Sequence, residues 1–271
     1  MTADASKETA SKGTALITGA STGIGAVYAD RLARRGYDLI LVARTEQRLR
    51  AVADKVMAET GRSAQTVIAD LGKKDGLLRV EAILRDDPAI TMLVNNAGFA
   101  SVQPLLNENV DRMEEMITLN VTALTRLAYA AAPGFVSRGH GTIVNISSIA
   151  GIGVEALNGV YGASKAYVLA LSQSLQHELT GKGVRVQVVL PGATATEIWE
   201  NAGVALSSLP ENIVMSTGEM VDAALTGLDQ GETVTIPSLQ DGTLWANYEA
   251  LRQSLRGQLS SNRAAPRYQP T

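Results

Sequence analysis

The chain has 271 residues, 45% of them hydrophobic and 19% charged, which is enough apolar material for a sizeable core and is not the composition of a disordered chain. It contains no cysteine, which excludes a disulfide framework, a thiolate nucleophile and a cysteine-ligated zinc or iron–sulfur site; with only His140 and His177 as histidines, no metal site is expected. A formal net charge of −3, from 24 Lys and Arg against 27 Asp and Glu, lacks the positive field that nucleic acid requires, so no such partner is expected.

The first twelve residues, MTADASKETASK, are polar and carry no apolar core of a leader, so they read as a disordered extension rather than a secretory signal. No apolar stretch is long enough to span a bilayer, so no membrane association is expected and a cytoplasmic location follows by default. From residue 14 onward, short apolar runs alternate with longer segments of helical period, the pattern of repeated βα units. Strands are predicted at 14–18, 38–43, 65–69, 91–95, 142–147, 184–190 and 232–236. Helices are predicted at 23–35, 45–60, 73–85, 111–132, 160–180 and 218–229, and Gly36, Gly61 and Gly181 stand where three of them stop. The expected fold class is α/β: a Rossmann-type three-layer α/β/α sandwich with a seven-stranded parallel sheet, in one domain over 13–260. A long loop at about 192–217 breaks the rhythm and carries Ile198, Trp199, Val204, Ala205, Leu206 and Met215, an apolar set able to close over a hydrophobic compound. Trp245 and Tyr248, in a last amphipathic helix within 241–260, are further candidates for the substrate side, and 261–271 reads as a loose tail.

Five short elements carry chemistry. The first strand runs into Thr18-Gly19-Ala20-Ser21-Thr22-Gly23-Ile24-Gly25, where glycines let backbone N–H groups approach a pyrophosphate and the helix N-terminus adds a favourable dipole. Asn95-Asn96-Ala97-Gly98 closes the fourth strand at the edge where open α/β sheets bind ligands. Asn120 falls inside a helix, a place unfavourable to Asn unless its side chain has a partner. Ser147 and Ser148 end the fifth strand, and Tyr161 and Lys165 share one helix face at i, i+4 spacing.

From Thr14 to about Ile236 the sequence resembles the short-chain dehydrogenase/reductase family. The family's T-G-x3-G-x-G matches Thr18, Gly19, Gly23 and Gly25; its N-N-A-G matches residues 95–98; its Y-x3-K matches Tyr161 and Lys165; its P-G-x3-T matches Pro191, Gly192 and Thr196. The resemblance implies a catalytic set of Asn120, Ser148, Tyr161 and Lys165, the serine thirteen before the tyrosine being chosen over Ser147. It implies that Lys165 holds the nicotinamide ribose, that Ser148 bonds the substrate oxygen and that Asn120 positions a water. The implied dinucleotide site comprises Gly19, Ser21, Thr22, Gly23, Ile24, Gly25, Arg44, Asp70, Leu71, Asn96, Ala97, Gly98, Tyr161, Lys165, Pro191, Gly192, Thr194 and Thr196. Asp70 would hold the adenine amino group.

Tyr161 is the expected general acid/base. A free phenol titrates near ~10, and moving it to about 7 takes about 4 kcal/mol of preference for the phenolate. Lys165 is expected to supply much of that as the adjacent cation, and an oxidised nicotinamide adds to it. In the Rossmann scheme an acid near the second strand end selects NAD and a nearby Arg selects NADP. Here Ala43 stands where the acid would be and Arg44 follows, so NADP(H) is expected, with Arg48 a weaker phosphate candidate and NAD(H) disfavoured. The leading expectation is an NADP(H)-dependent oxidoreductase, a carbonyl reductase acting on a ketone, aldehyde or secondary alcohol. An epimerase-like isomerase and a non-catalytic dinucleotide-binding regulator remain as alternatives. Apolar residues on more than one face of the helices at 111–132 and 160–180 point to a homodimer or homotetramer.

Overall fold

The computed structural model describes residues 11–155 and 157–268. Residues 1–10 of the expected N-terminal extension and 269–271 of the expected tail lie outside the described residues. The chain divides into two units, one ending at Pro237 and one beginning at Ser238; the domain expected over 13–260 spans that boundary.

In the first unit, strands and helices alternate: β1 (Thr14–Thr18), α1 (Gly23–Arg34), β2 (Asp38–Ala43), α2 (Glu46–Thr60), β3 (Ala64–Ile68), α3 (Lys74–Asp86) and β4 (Ile90–Asn95). Then follow α4 (Val110–Ile117), α5 (Leu124–Arg138), β5 (Gly141–Ile146), α6 (Gly159–Leu179), β6 (Val184–Val189), α7 (Ile198–Asn201), α8 (Thr217–Asp229) and β7 (Val234–Thr235). The second unit holds α9 (Gly242–Ser254), N-capped by Asp241 and carrying the stacked Trp245 and Tyr248 rings 5.2 Å apart.

The seven strands form one sheet in the order β3-β2-β1-β4-β5-β6-β7, every pair parallel. Helices cover both faces, which is why the strands read as near-continuous apolar runs. Alternate residues of a strand feed different cores. Ala15 and Ile17 of β1 pack with α1, α2 and α8, whereas Leu16 between them packs with α3, α5 and α6. The strand order reverses between β1 and β4, the switch point at which open α/β sheets leave a crevice beyond the strand ends.

Strand limits differ from expectation by a residue or so at β3 to β6, and β7 keeps two residues of the five expected, since it lies at the sheet edge just before Pro237. The helix expected at 111–132 differs more. It is α4 and α5 joined by a π-helical turn at Thr118–Ala123, and α5 continues through Pro133 to Arg138. Pro133 is exposed, so its lost backbone bond and ring strain fall on the solvent side, and the helix stops instead at Gly139 in the left-handed conformation.

A buried polar chain ties the sheet to α6. Asn95 of β4 donates through Nδ2 to Oδ1 of its register partner Asn145 on β5 at 3.0 Å, and Asn145 Nδ2 donates to Ser172 Oγ at 2.9 Å.

Candidate active site

The turn after β1 is built by close approach. Gly19 has φ +66°, and a Cβ on it would lie 2.8 Å from Asn96 Nδ2; a Cβ on Gly25 would lie 2.3 Å from the Gly19 carbonyl oxygen. Asn96 holds the turn from the neighbouring strand, donating through Nδ2 to the carbonyls of Thr18 (2.9 Å) and Gly19 (3.2 Å), while the Thr18 hydroxyl accepts from the backbone N–H of Asn96 and Ala97. Thr22 is the N-cap of α1 in extended conformation, and its side chain makes no capping bond. The first N–H groups of α1 therefore face the crevice without a side-chain acceptor, beside Ser21 and Ile24. This backbone-lined hollow at a helix N-terminus, too tight for any side chain at Gly19 or Gly25, fits a dinucleotide diphosphate.

Across the crevice, β5 and α6 bring the polar quartet together. The two serines that end β5 separate by role. Ser147 Oγ donates to the Lys165 carbonyl at 2.7 Å and fixes the α6 backbone, whereas Ser148 hydrogen-bonds the Tyr161 side chain and accepts from Ala150 N–H at 3.1 Å. Asn158 caps α6, accepting from the N–H of Val160 and Tyr161, and so sets where Tyr161 emerges. Lys165 Nζ donates to the Ile146 carbonyl at 3.0 Å and lies 5.7 Å from the Tyr161 ring centroid.

Asn120 sits in the π-helical turn with its side chain fully engaged. Nδ2 donates to the Phe99 carbonyl (3.0 Å) and to Ser164 Oγ (3.2 Å), and Oδ1 accepts from Phe99 N–H (3.1 Å). This is the partner that an Asn within a helix needs. The amide ties the Phe99 loop to α6, and Oδ1, with one printed donor, keeps a second acceptor position. A Cβ on Gly98 would meet Asn120 Oδ1 at 2.8 Å and Lys165 Nζ at 3.8 Å, which places the N-N-A-G segment directly against the quartet.

Electrostatics depart from the sequence-based expectation. Burial raises the Tyr161 pKa above the ordinary phenol value, and the Ser148 hydrogen bond only partly counters it. Burial lowers the Lys165 pKa to about 8. Lys165 therefore does not pull the phenol toward neutrality in the protein alone. Both groups are over nine-tenths buried, so desolvation penalises phenolate and ammonium alike, and the ammonium is aimed at the Ile146 carbonyl.

On the far side of the glycine turn, Ala43 is buried at the end of β2 and carries no carboxylate. Arg44 is exposed and makes no hydrogen bond or ion pair among the described residues, whereas Arg48, the weaker phosphate candidate, is paired with Glu197 at 2.7 Å. Asp70 Oδ1 accepts from Gly72 N–H at 2.9 Å, and Leu71 is buried. Pro191 and Gly192 follow β6. The Pro191 carbonyl accepts from Ile149 N–H, and Thr194 is joined to Met215 in a short parallel bridge.

Of the loop residues expected at the substrate side, Ile198 packs with Ala100, Met113, Met116, Ala150 and Tyr161, while Met215 packs into the core beneath α1 and α8. Trp199 is anchored through Nε1 to the Thr194 carbonyl. Sequence reasoning did not single out Phe99, Met113 and Met116, which share a small apolar cluster with Tyr161; the two methionines are buried and form the packing behind it, with the half-buried Phe99 against them. Among the described residues no cluster of three His, Asp or Glu is placed to hold a metal, and no helix is long and apolar enough to cross a membrane.

The family model for short chain dehydrogenases matches residues 13–205. A short-chain dehydrogenase from Sphingobium yanoikuyae, solved in complex with NADPH, is 49% identical, with 95% of this chain and all of that one covered at a TM-score of 0.92. A bulky-bulky ketone specific alcohol dehydrogenase from Comamonas testosteroni is 44% identical, covering 95% and 99% of the two chains at a TM-score of 0.88. A very-long-chain 3-oxoacyl-CoA reductase from Anas platyrhynchos is 34% identical over 192 residues, spanning 68% of this chain and 60% of that one. The glycine turn, the polar quartet and these likenesses agree: the chain belongs to the short-chain dehydrogenase family of oxidoreductases.

Proposed function

We propose that the protein is an NADP(H)-dependent oxidoreductase acting on a hydrophobic ketone, aldehyde or secondary alcohol, with Tyr161 as its general acid/base. The observation that carries this reading is the meeting of Ser148, Tyr161 and Lys165 at the C-terminal edge of the sheet, across the crevice from a diphosphate-sized backbone hollow. Arg44, unpaired beside an uncharged Ala43, supports NADP(H) over NAD(H), as does the NADPH complex of the Sphingobium relative.

The glycine turn, Asp70, Leu71, Asn96 to Gly98, and the segment Pro191, Gly192, Thr194 and Thr196 would hold the dinucleotide, which when bound supplies the hydride for reduction. Tyr161 meets the carbonyl oxygen as a neutral phenol, because burial keeps its proton on, and that is the form able to protonate a developing alkoxide. Ser148 shares its hydroxyl between Tyr161 and that oxygen and steadies the growing charge. Lys165, with its pKa near 8, is still mostly charged at neutral pH and favours the phenolate left behind. Asn120 positions the Phe99 loop against α6, and the remaining acceptor position of its Oδ1 suits the water that reloads the proton. Beside Tyr161, the partly buried Phe99 and Ile198 offer apolar surface to a bulky ketone, backed by the buried Ala100, Met113 and Met116, in keeping with the name of the Comamonas relative.

The test is NADPH oxidation with a panel of aryl and alkyl ketones, alongside Tyr161→Phe. The variant should lose 10²–10⁴-fold in turnover, the size of a general-acid contribution, while still quenching or shifting NADPH fluorescence on binding. Tight NADPH binding without turnover of any carbonyl would favour a regulator instead. The reading includes a cytoplasmic homodimer or homotetramer formed through the outer faces of α5 and α6. Tyr129, Ala163, Tyr167 and Ala170 are exposed there, and the Tyr167 hydroxyl already bonds Thr125 across the two helices at 3.0 Å.

A further inference from the structure

The segment after β6 crosses the crevice. In the sheet, β2 and β6 are separated by β1, β4 and β5, four strand spacings or about 19 Å. Yet Arg48, in the first turn of α2 after β2, contacts Glu197, which follows β6, at 2.7 Å. The chain can make that contact only by arching over the ends of the three strands between. Thr196, one residue earlier, touches the glycine turn itself: its Cγ2 lies 3.3 Å from where a Cβ on Gly23 would stand.

The arch is fixed at three points. At its base, Ala195 N–H donates to the Met215 carbonyl and Met215 N–H to the Ala193 carbonyl, both at 2.9 Å, so the segment leaves and returns through one pinned neck. At the residue before α7, Glu197 is paired with Arg48. At the last residue of α7, the Asn201 carbonyl accepts from Arg112 Nη2 at 3.1 Å, and the Arg112 guanidinium also lies over the Phe99 ring, 5.9 Å from its centroid. Two arginines from opposite walls of the crevice thus hold the two ends of one four-residue helix. Its first residue, Ile198, rests on the apolar cluster around Tyr161.

We propose that Arg48 and Arg112 are positioning residues with divided duties: the Arg48–Glu197 pair closes the crevice over the dinucleotide and sets its release, and Arg112 sets the substrate mouth. This rests on the dinucleotide reading given above. The chemistry of the two contacts suits a fastening that opens in every turnover. The Arg48 and Glu197 side chains are 56% and 51% exposed, so water competes for both and the pair adds little to fold stability while remaining easy to break. Arg44 lies four residues before Arg48, and, whereas Arg48 is paired with Glu197, the Arg44 side chain makes no ion pair among the described residues. Arg112 acts differently: its bond to the C-terminal carbonyl of α7 and its stacking on Phe99 join the arch to a residue that Asn120 also holds.

The test is stopped-flow release of NADPH, followed by its fluorescence, for the full-length wild type, Arg48→Ala, Arg48→Lys, Glu197→Gln and Arg48→Ala/Glu197→Gln. Arg48→Ala and Glu197→Gln should each speed release about two- to fivefold, the range open to an exposed ion pair. The double variant should be no faster than either, and Arg48→Lys should restore slow release. Rising salt should speed release more steeply from wild type than from Arg48→Ala, in which the exposed Arg44 contact to the 2′-phosphate is still screened but the Arg48–Glu197 pair is gone. Arg112→Ala should leave NADPH release untouched and raise KM for a bulky aryl ketone more than it changes kcat. Wild-type release rates in both single variants, or additive effects in the double, would overturn the fastening. Equal acceleration by Arg112→Ala would overturn the division of duties. Failure of the wild type to bind NADPH at all would instead defeat the functional reading on which this rests.

Discussion

Replacing Lys165 by Met should make the ligand-free protein more stable while abolishing its activity. The reasoning starts from burial: the ammonium is enclosed on the inner face of α6, its pKa lowered from 10.5 to about 8 by desolvation, with the Ile146 carbonyl as its hydrogen-bond acceptor. At 1.36 kcal/mol per decade, that difference amounts to about 3 kcal/mol by which folding disfavours the charged lysine. The bond to Ile146 returns about 1.5–3 kcal/mol to the native state, so a Met of similar length should gain up to about 1.5 kcal/mol at neutral pH, or a few degrees in Tm. The sign with pH is fixed. Between about 8 and 10.5 the unfolded chain holds a proton that the folded chain has lost, so wild-type stability rises with pH through that window. Below it the penalty is fully present, and above it the penalty is gone. Urea denaturation of ligand-free wild type and Lys165→Met at pH 7 and at pH 10.5 reads both effects: the advantage of the variant should be largest at pH 7 and shrink or reverse at the upper end. A variant less stable than wild type at pH 7, or a gap that does not change with pH, would refute the burial argument.

Four other substitutions separate roles that the geometry distinguishes. Ser148→Ala should cut kcat/KM about 10²–10³-fold, as loss of a donor to a developing oxyanion does, whereas Ser147→Ala should keep most activity and lose about 0.5–1.5 kcal/mol of stability with its bond to the Lys165 carbonyl; paired kinetics and denaturation read the contrast, and the reverse ranking would exchange the two serines. Arg44→Ala should weaken NADPH about 10 to 150-fold and leave NADH nearly unaffected, because a charge-assisted bond of about 1.5–3 kcal/mol is lost only with the 2′-phosphate present; equal weakening of both cofactors by titration would reduce Arg44 to a solvated helix-start residue. Tyr28→Phe should leave stability unchanged or raise it, since the Tyr28 hydroxyl is fully buried with no partner among the described residues and burial drives its pKa upward; a loss above about 1 kcal/mol on denaturation would reveal a partner for that hydroxyl.

What the sequence made legible is whatever a short spacing forces. A strand running into Gly19, Gly23 and Gly25 has few ways to turn, and Tyr161 and Lys165 at i, i+4 must share a face, so the glycine turn and the α6 pair stand where they were expected. The alternation of apolar runs gave the seven strands to within a residue or so at all but the edge strand β7, because both faces of the sheet are covered. The π-helical turn at Asn120 was not legible, since it is shaped by the Phe99 backbone, twenty-one residues away in the chain. Nor was the pairing of Arg48 with Glu197, 149 residues apart, which only the arch after β6 brings about. The upward direction of the Tyr161 shift in the protein without its dinucleotide was not legible for a different reason. Residue types put a cation one turn from a phenol, but they do not report how deeply both are enclosed, and burial is what raises the phenol, countered in part by Ser148.

The buried chain from Asn95 through Asn145 to Ser172 bears on how this protein avoids misassembly. Parallel strands of mostly Val, Ile and Leu offer one another many nearly equivalent alignments, and a slip of one residue along β5 exchanges its two faces. Asn95 and Asn145 favour the alignment in which they oppose each other: a slip breaks the bond between their amides in a dry core, at about 1–3 kcal/mol for each group newly left unsatisfied. Ser148 lies three residues beyond Asn145 on the same strand end, so the amide pair that keys the sheet also delivers that hydroxyl to the tyrosine side of the crevice. Asn145→Val should therefore fold into a population with mixed strand alignment, and its activity should fall in proportion to the misaligned fraction rather than through any change at Tyr161.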